Sequence, residues 1–112
     1  MKSMQQRLLD FYQQFSSLEC HVYHHMRGTN YPFMVWSERG EEPMESLHTD
    51  GHKTEQVIVG VVDYYTKQEF DRTVDDIQTI LDNADRAAWE LDTVQYEDKT
   101  GLTHYTWTWR LS

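Results

Sequence analysis

The chain has 112 residues, a formal net charge of −9, 13% aromatic residues and 26% charged ones. That length predicts one domain with one real core, and the aromatic content excludes a disordered chain. A single cysteine excludes an internal disulfide, and no apolar run approaches the roughly 20 residues of a membrane-spanning helix.

The N-terminal stretch MKSMQQRLLDFYQQF has no signal-peptide apolar core, so a cytoplasmic domain spanning residues 1–112 is expected. Met4, Leu8, Phe11, Tyr12, Phe15 and Leu18 recur at helical spacing and predict an amphipathic helix over residues 3–16. In CHVYHH, residues 20–25, that period is lost and a strand is expected. Gly28 and Asn30 mark a turn before YPFMVWSE (31–38), whose Pro32 places it at a strand start or a sheet edge. RGEEPMESLHTDGH (39–52) reads as a loop, a hairpin tip or an insertion.

KTEQVIVGVVDYYT (53–66) is the strongest strand signal. Val57, Val59 and Val61 point one way while Ile58, Val62 and Tyr64 point the other, so the strand should be central and covered on both faces. Gly60 in its middle predicts a bulge or a close backbone approach. Thr66 reads as an N-cap with Glu69 completing a capping box and Tyr65 stapled to Phe70. Phe70, Val74, Ile77, Leu81 and Ala84 then form a buried stripe, Asp71, Asp75, Asp76 and Asp82 face away, and the helix ends near Asn83 in a left-handed cap. AWELDTVQYE, the turn Asp98-Lys99-Thr100-Gly101 and LTHYTWTWRL predict a closing hairpin, with Tyr105, Trp107, Trp109 and Leu111 on its inner face. The resulting fold class is α+β. Two helices pack on one antiparallel or mixed sheet of four to five strands, in the order α-β-β-β-α-β-β.

Residues 63–98 carry eleven acids against Lys67, Arg72 and Arg86, a net −8, which would repel a phosphate backbone and excludes ordinary nucleic-acid binding. No phosphate-cradling glycine loop and no serine-nucleophile motif is present. Cys20 fits a buried structural thiol better than a nucleophile, Asp75 and Asp76 a solvated helix face, and Trp107 with Trp109 a core. Cys20, His21, His24 and His25 are all metal-ligand types, and His48, Asp50 and His52 form a second possible set. On a strand, however, His21 and His25 share a face about 13 Å apart and cannot grip one ion, so surface histidines, no metal and no cofactor are expected.

The layout resembles the small tail-terminator and tail-completion proteins of tailed bacteriophages and prophages. The residues that carry it are MQQRLLDFYQQF, then VYHHM and YPFMVWSE, then TDGHKTEQVIVGVVDYYTK with its helix EFDRTVDDIQTILDN, and the terminal THYTWTWRL. The resemblance implies a non-enzymatic structural protein forming a ring, usually hexameric, at the tail-tube end or head–tail junction. Its partners would be further copies of itself and tail-tube or connector proteins, with no membrane and no direct nucleic-acid contact. Its location would be the bacterial cytoplasm during assembly and then the virion tail. The family supplies no catalytic residues. The strand 57–64 has more apolar surface than two helices cover, so Val57, Ile58, Val59, Val61, Val62 and Tyr64 are the expected oligomer interface. A small ferredoxin-like enzyme or ligand-binding domain and an acidic DNA mimic are the competing readings.

Overall fold

A computed structural model describes residues 3–42 and 56–112, together with the backbone of 48–49 and 52–53. Helix α1 (Met4–Gln13) starts where the Ser3 hydroxyl accepts the Gln6 amide at 3.1 Å, satisfying one donor that a helix start leaves free. Its Leu8 and Phe11 are buried, and a 3-10 turn at Gln14–Ser17 adds Phe15 to the same stripe. Arg7 ties the helix to the sheet by donating to the backbone oxygen of Gln56 at 3.0 Å and to its side-chain oxygen at 2.9 Å.

Strands β1 (His21–His24) and β2 (Phe33–Glu41) follow, then the two-residue ladder of β3 (His48–Thr49) and β4 (His52–Lys53), then β5 (Ile58–Thr66). After helix α2 (Arg72–Asn83) come β6 (Ala87–Glu97) and β7 (Leu102–Leu111). The main sheet has the spatial order β1-β2-β5-β7-β6. Only β1 and β2 pair in parallel, so the sheet is mixed. Two helices on one five-stranded sheet give the α+β class and the element order expected from the sequence. Of the segment 39–52, expected as a loop, a hairpin tip or an insertion, residues 39–41 continue β2; residues 43–47, 50–51 and 54–55 lie outside the described residues.

β5 occupies the centre of the sheet, as its two apolar faces require. Its register sets Ile58 opposite Leu111, Gly60 opposite Trp109, Val62 opposite Trp107 and Tyr64 opposite Met34. That face meets Leu8, Phe11, Phe15, Ile77, Leu81 and Ala84 from the two helices. Gly60 is required by close approach: a Cβ there would overlap the Trp109 ring and the Ser37 carbonyl oxygen. Trp107 and Trp109 are fully buried core, and the Trp107 indole N–H donates to Gln78 of α2 at 3.1 Å.

The start of α2 differs from the sequence expectation. Asp71, not Thr66, is the N-cap, accepting the Thr73 amide at 2.9 Å. Thr66 remains the last residue of β5 and donates its hydroxyl to Asp71 at 2.7 Å, while Tyr64 donates to the same carboxylate oxygen at 2.6 Å. Two buried strand hydroxyls need an acceptor, and that need draws Asp71 inward and moves the cap five residues along. Phe70 is thereby expelled from the expected stripe; it is 91% exposed, in the left-handed region at φ 53°. At the other end Asn83 stays helical, Ala84 is the extended C-cap, and the left-handed residue is Arg86. The closing hairpin turns as expected, with Gly101 at φ 70° and its amide donating to the Glu97 carbonyl at 2.9 Å.

Candidate functional site

The six residues expected to form an oligomer interface divide between two environments. Ile58, Val62 and Tyr64 lie in the core beneath the helices and are occupied within one protomer. Val57, Val59 and Val61 face the other side of the sheet, where Val57 is buried and Val59 and Val61 are half-buried. That second face is also furnished from within the chain. Residues 25–32 carry the chain back from the end of β1 to the start of β2, as their parallel pairing demands. Tyr31 stacks on Phe33 at 5.4 Å, Phe33 on Tyr65 at 4.7 Å, and the Arg27 guanidinium lies 5.0 Å over the Tyr65 ring. Towards β7 the same face turns polar, where Asp63 accepts from His104 at 2.8 Å and from Thr106 at 2.9 Å.

Among the described residues, one group of exposed apolar side chains lies along β6. Among the described residues this strand closes one edge of the sheet, paired only to β7. Trp89 is half-buried against α2 and donates its indole N–H to Asp82 at 3.1 Å. Beyond it Leu91, Val94 and Tyr96 are 45%, 53% and 64% exposed. A register shift between Leu91 and Thr93 inserts an extra residue, so Leu91, Val94 and Tyr96 all project from the helix-bearing face of the sheet. They are set opposite Trp107, Tyr105 and Thr103. Residue spacing alone did not single them out: they alternate with acids and amides in AWELDTVQYE, which reads as an ordinary half-buried strand. The signal that could have found them is strand length, since β6 has eleven residues and a helix of twelve, rising less than half as much per residue, covers only its first part.

The histidines of the opposite edge converge in a way that strand spacing did not anticipate. His24 ends β1 on the helix side of the sheet, and its ring lies flat on the Trp36 indole at 3.9 Å and 6°. His25 leaves extended geometry at φ 67°, while its amide still donates to the Trp36 carbonyl at 3.0 Å. Its ring therefore stacks on that of His24, at 4.2 Å, instead of pointing to the opposite face. Both rings meet Glu38 of β2, with His24 Nε2 2.7 Å from Oε2 and His25 Nε2 3.0 Å from Oε1. Partial burial pushes the Glu38 carboxyl up, but the two imidazole hydrogen bonds outweigh it and bring it down to about 2. His21 remains on the other face near Tyr23. The second set, His48, Asp50 and His52, lies outside the residues whose side chains are described.

Cys20 is half-buried, and burial followed by the nearby Asp71 charge pushes its thiol up to about 11, which suits a structural residue. Burial and the Asp71 hydrogen bond likewise raise Tyr64. Of the acids expected on the outer face of α2, Asp75 and Asp82 are exposed and Asp76 is half-buried; Asp71 is the exception, buried as the cap. No known protein-family model matches this chain, and no curated protein does.

Proposed function

We propose that this chain is a non-enzymatic assembly protein that associates with copies of itself into a ring, at a tail-tube end or head–tail junction like the terminator proteins it resembles. The observation that carries the reading is the β6–β7 hairpin. Among the described residues, the edge strand β6 of eleven residues has one side unpaired in the sheet and presents Leu91, Val94 and Tyr96 to solvent beyond the cover of α2. Three neighbouring large apolar side chains on one edge strand form the kind of patch that usually marks an interface, and an unpaired edge offers backbone groups for a partner.

The occupant this surface fits is a second copy of the chain. A head-to-tail contact between the hairpin of one copy and a different surface of the next closes into a ring when the rotation permits. The exposed apolar residues Met4, Leu9 and Tyr12 of α1 offer such a second surface. Asp75 and Asp82 favour a place outside the subunit contact, because burying a carboxylate charge is costly, and they suit a wall past which nucleic acid moves without sticking. Within this reading the contact centres on Leu91, Val94 and Tyr96, with Val59 and Val61 as the remaining candidates on β5. Negative-stain electron microscopy of concentrated protein tests it: closed rings support the reading, and a uniform field of particles the size of one 13.5 kDa chain overturns it.

A further inference from the structure

We propose that His24, His25 and Glu38 form a binding site for one divalent transition-metal ion, zinc in the first instance. This goes beyond the assembly reading and does not depend on it. Two imidazole nitrogens and a carboxylate oxygen all lie within 4.8 Å of one another. Zinc bonds to imidazole nitrogen and carboxylate oxygen are about 2.0–2.2 Å, which puts the ligand atoms of a tetrahedral site about 3.3 Å apart. The nitrogen–oxygen separations of 2.7 and 3.0 Å, which run to the two oxygens of one carboxylate, need to widen by about 0.3–0.6 Å, and the two imidazole nitrogens, within 4.8 Å of each other, turn towards the ion between them.

The ligands are oriented before any ion arrives. The His24 ring is fixed by its stack on Trp36, which is itself buried and stacked on Tyr12 at 5.2 Å. His25 is held by its backbone hydrogen bond to Trp36 and by the left-handed turn that brings its ring beside that of His24. Glu38 follows two residues after Trp36 on the same strand face. Coordination uses the Nε2 lone pair of each ring, so a proton on Nε2 moves to Nδ1 in a neutral ring or leaves to solvent from an imidazolium, and two hydrogen bonds are replaced by three coordinate bonds. The side chains of His24, His25 and Glu38 are 43%, 54% and 30% exposed. That leaves water access to the remaining coordination position, the arrangement of three protein ligands plus water found in open zinc sites. Imidazole with carboxylate favours zinc, copper and nickel over magnesium or calcium.

Calorimetric titration of chelator-treated protein with zinc chloride tests the site. One zinc ion per chain is expected, with affinity unchanged in the His48→Ala/His52→Ala double variant and in His21→Ala. Glu38→Gln and His25→Asn, the latter chosen because asparagine tolerates the left-handed backbone, should each weaken binding by at least about tenfold, since losing even an outer-shell partner costs about 10- to 100-fold. Near-ultraviolet circular dichroism, reporting the Trp36 environment, should show both variants folded. No zinc uptake at millimolar concentration overturns the proposal. So does uptake that survives Glu38→Gln and His25→Asn, or that disappears with His48 and His52.

Discussion

Replacing Asp71 with Ala should be among the most damaging single substitutions in this fold, although the residue reads in sequence as one of several surface aspartates. Its Oδ1 caps α2 at Thr73, and its Oδ2 accepts from both Tyr64 and Thr66, which are buried. Loss of the cap costs about 1 kcal/mol. Two buried hydroxyls then lose their acceptor, at about 1–3 kcal/mol each, and water entering the shortened site offsets part of this, for a total of about 3–5 kcal/mol. That is a large share of the roughly 5–15 kcal/mol that stabilises a domain. Thr66→Ala removes one of these hydrogen bonds, together with the part-buried one its hydroxyl accepts from the Gln68 amide at 3.1 Å, and should cost about 1–2 kcal/mol. Urea titrations followed by tryptophan fluorescence measure both. The hydrogen bonds from Tyr64, Thr66 and Thr73 overcome the effect of burial and hold the Asp71 carboxyl below its usual range. The folded state then binds fewer protons than the unfolded chain, so this stability is present above the unfolded aspartate value of about 3.9 and is lost as pH falls through the folded one. Asp71→Ala should accordingly flatten the acid limb of a stability–pH curve. An Asp71→Ala cost equal to or smaller than that of Thr66→Ala would refute the reasoning and restore Thr66 as the cap.

Other substitutions have sharper signs than sizes. Ile77→Ala opens a cavity beneath α2 and should cost about 2–5 kcal/mol by the same titration, whereas Phe70→Asn, at a residue 91% exposed, should stay within about 0.5 kcal/mol of the parent. Gly60→Ala forces a methyl group into the Trp109 ring and the Ser37 carbonyl, and should cost about 1–3 kcal/mol or more with a changed near-ultraviolet tryptophan signal.

The fold was legible in the chain wherever one periodicity governed a whole element. The stripe of Leu8, Phe11 and Phe15, the two-faced β5 and the Trp107–Trp109 alternation each fixed which side of an element is buried. The strand-to-helix junction was not legible, because both Thr66 and Asp71 are good N-cap residues. The choice between them is made by Tyr64, whose hydroxyl needs an acceptor only once the sheet and helix have come together. The histidine cluster was hidden for a related reason. Alternation along a strand separates His24 from His25, and the single left-handed residue that reunites them leaves no mark on residue types. Glu38, fourteen residues from His24, joins them only through the parallel pairing of β1 with β2. The exposed stretch of β6 was obscured because its apolar residues look like those of any covered strand. What leaves them bare is the length of α2 above them.

Self-association through the β6–β7 hairpin is tested most directly by light scattering during size exclusion at high protein concentration, comparing the parent chain with Val94→Glu. Val94 is 53% exposed, so the charge can be accommodated by a single folded chain, and circular dichroism should be unchanged. The parent should elute as an oligomer, six copies if the ring follows the terminator pattern, and Val94→Glu should reduce it to a species of 13.5 kDa. A parent that remains a 13.5 kDa monomer at high concentration, or an oligomer indifferent to Val94→Glu, would contradict the account.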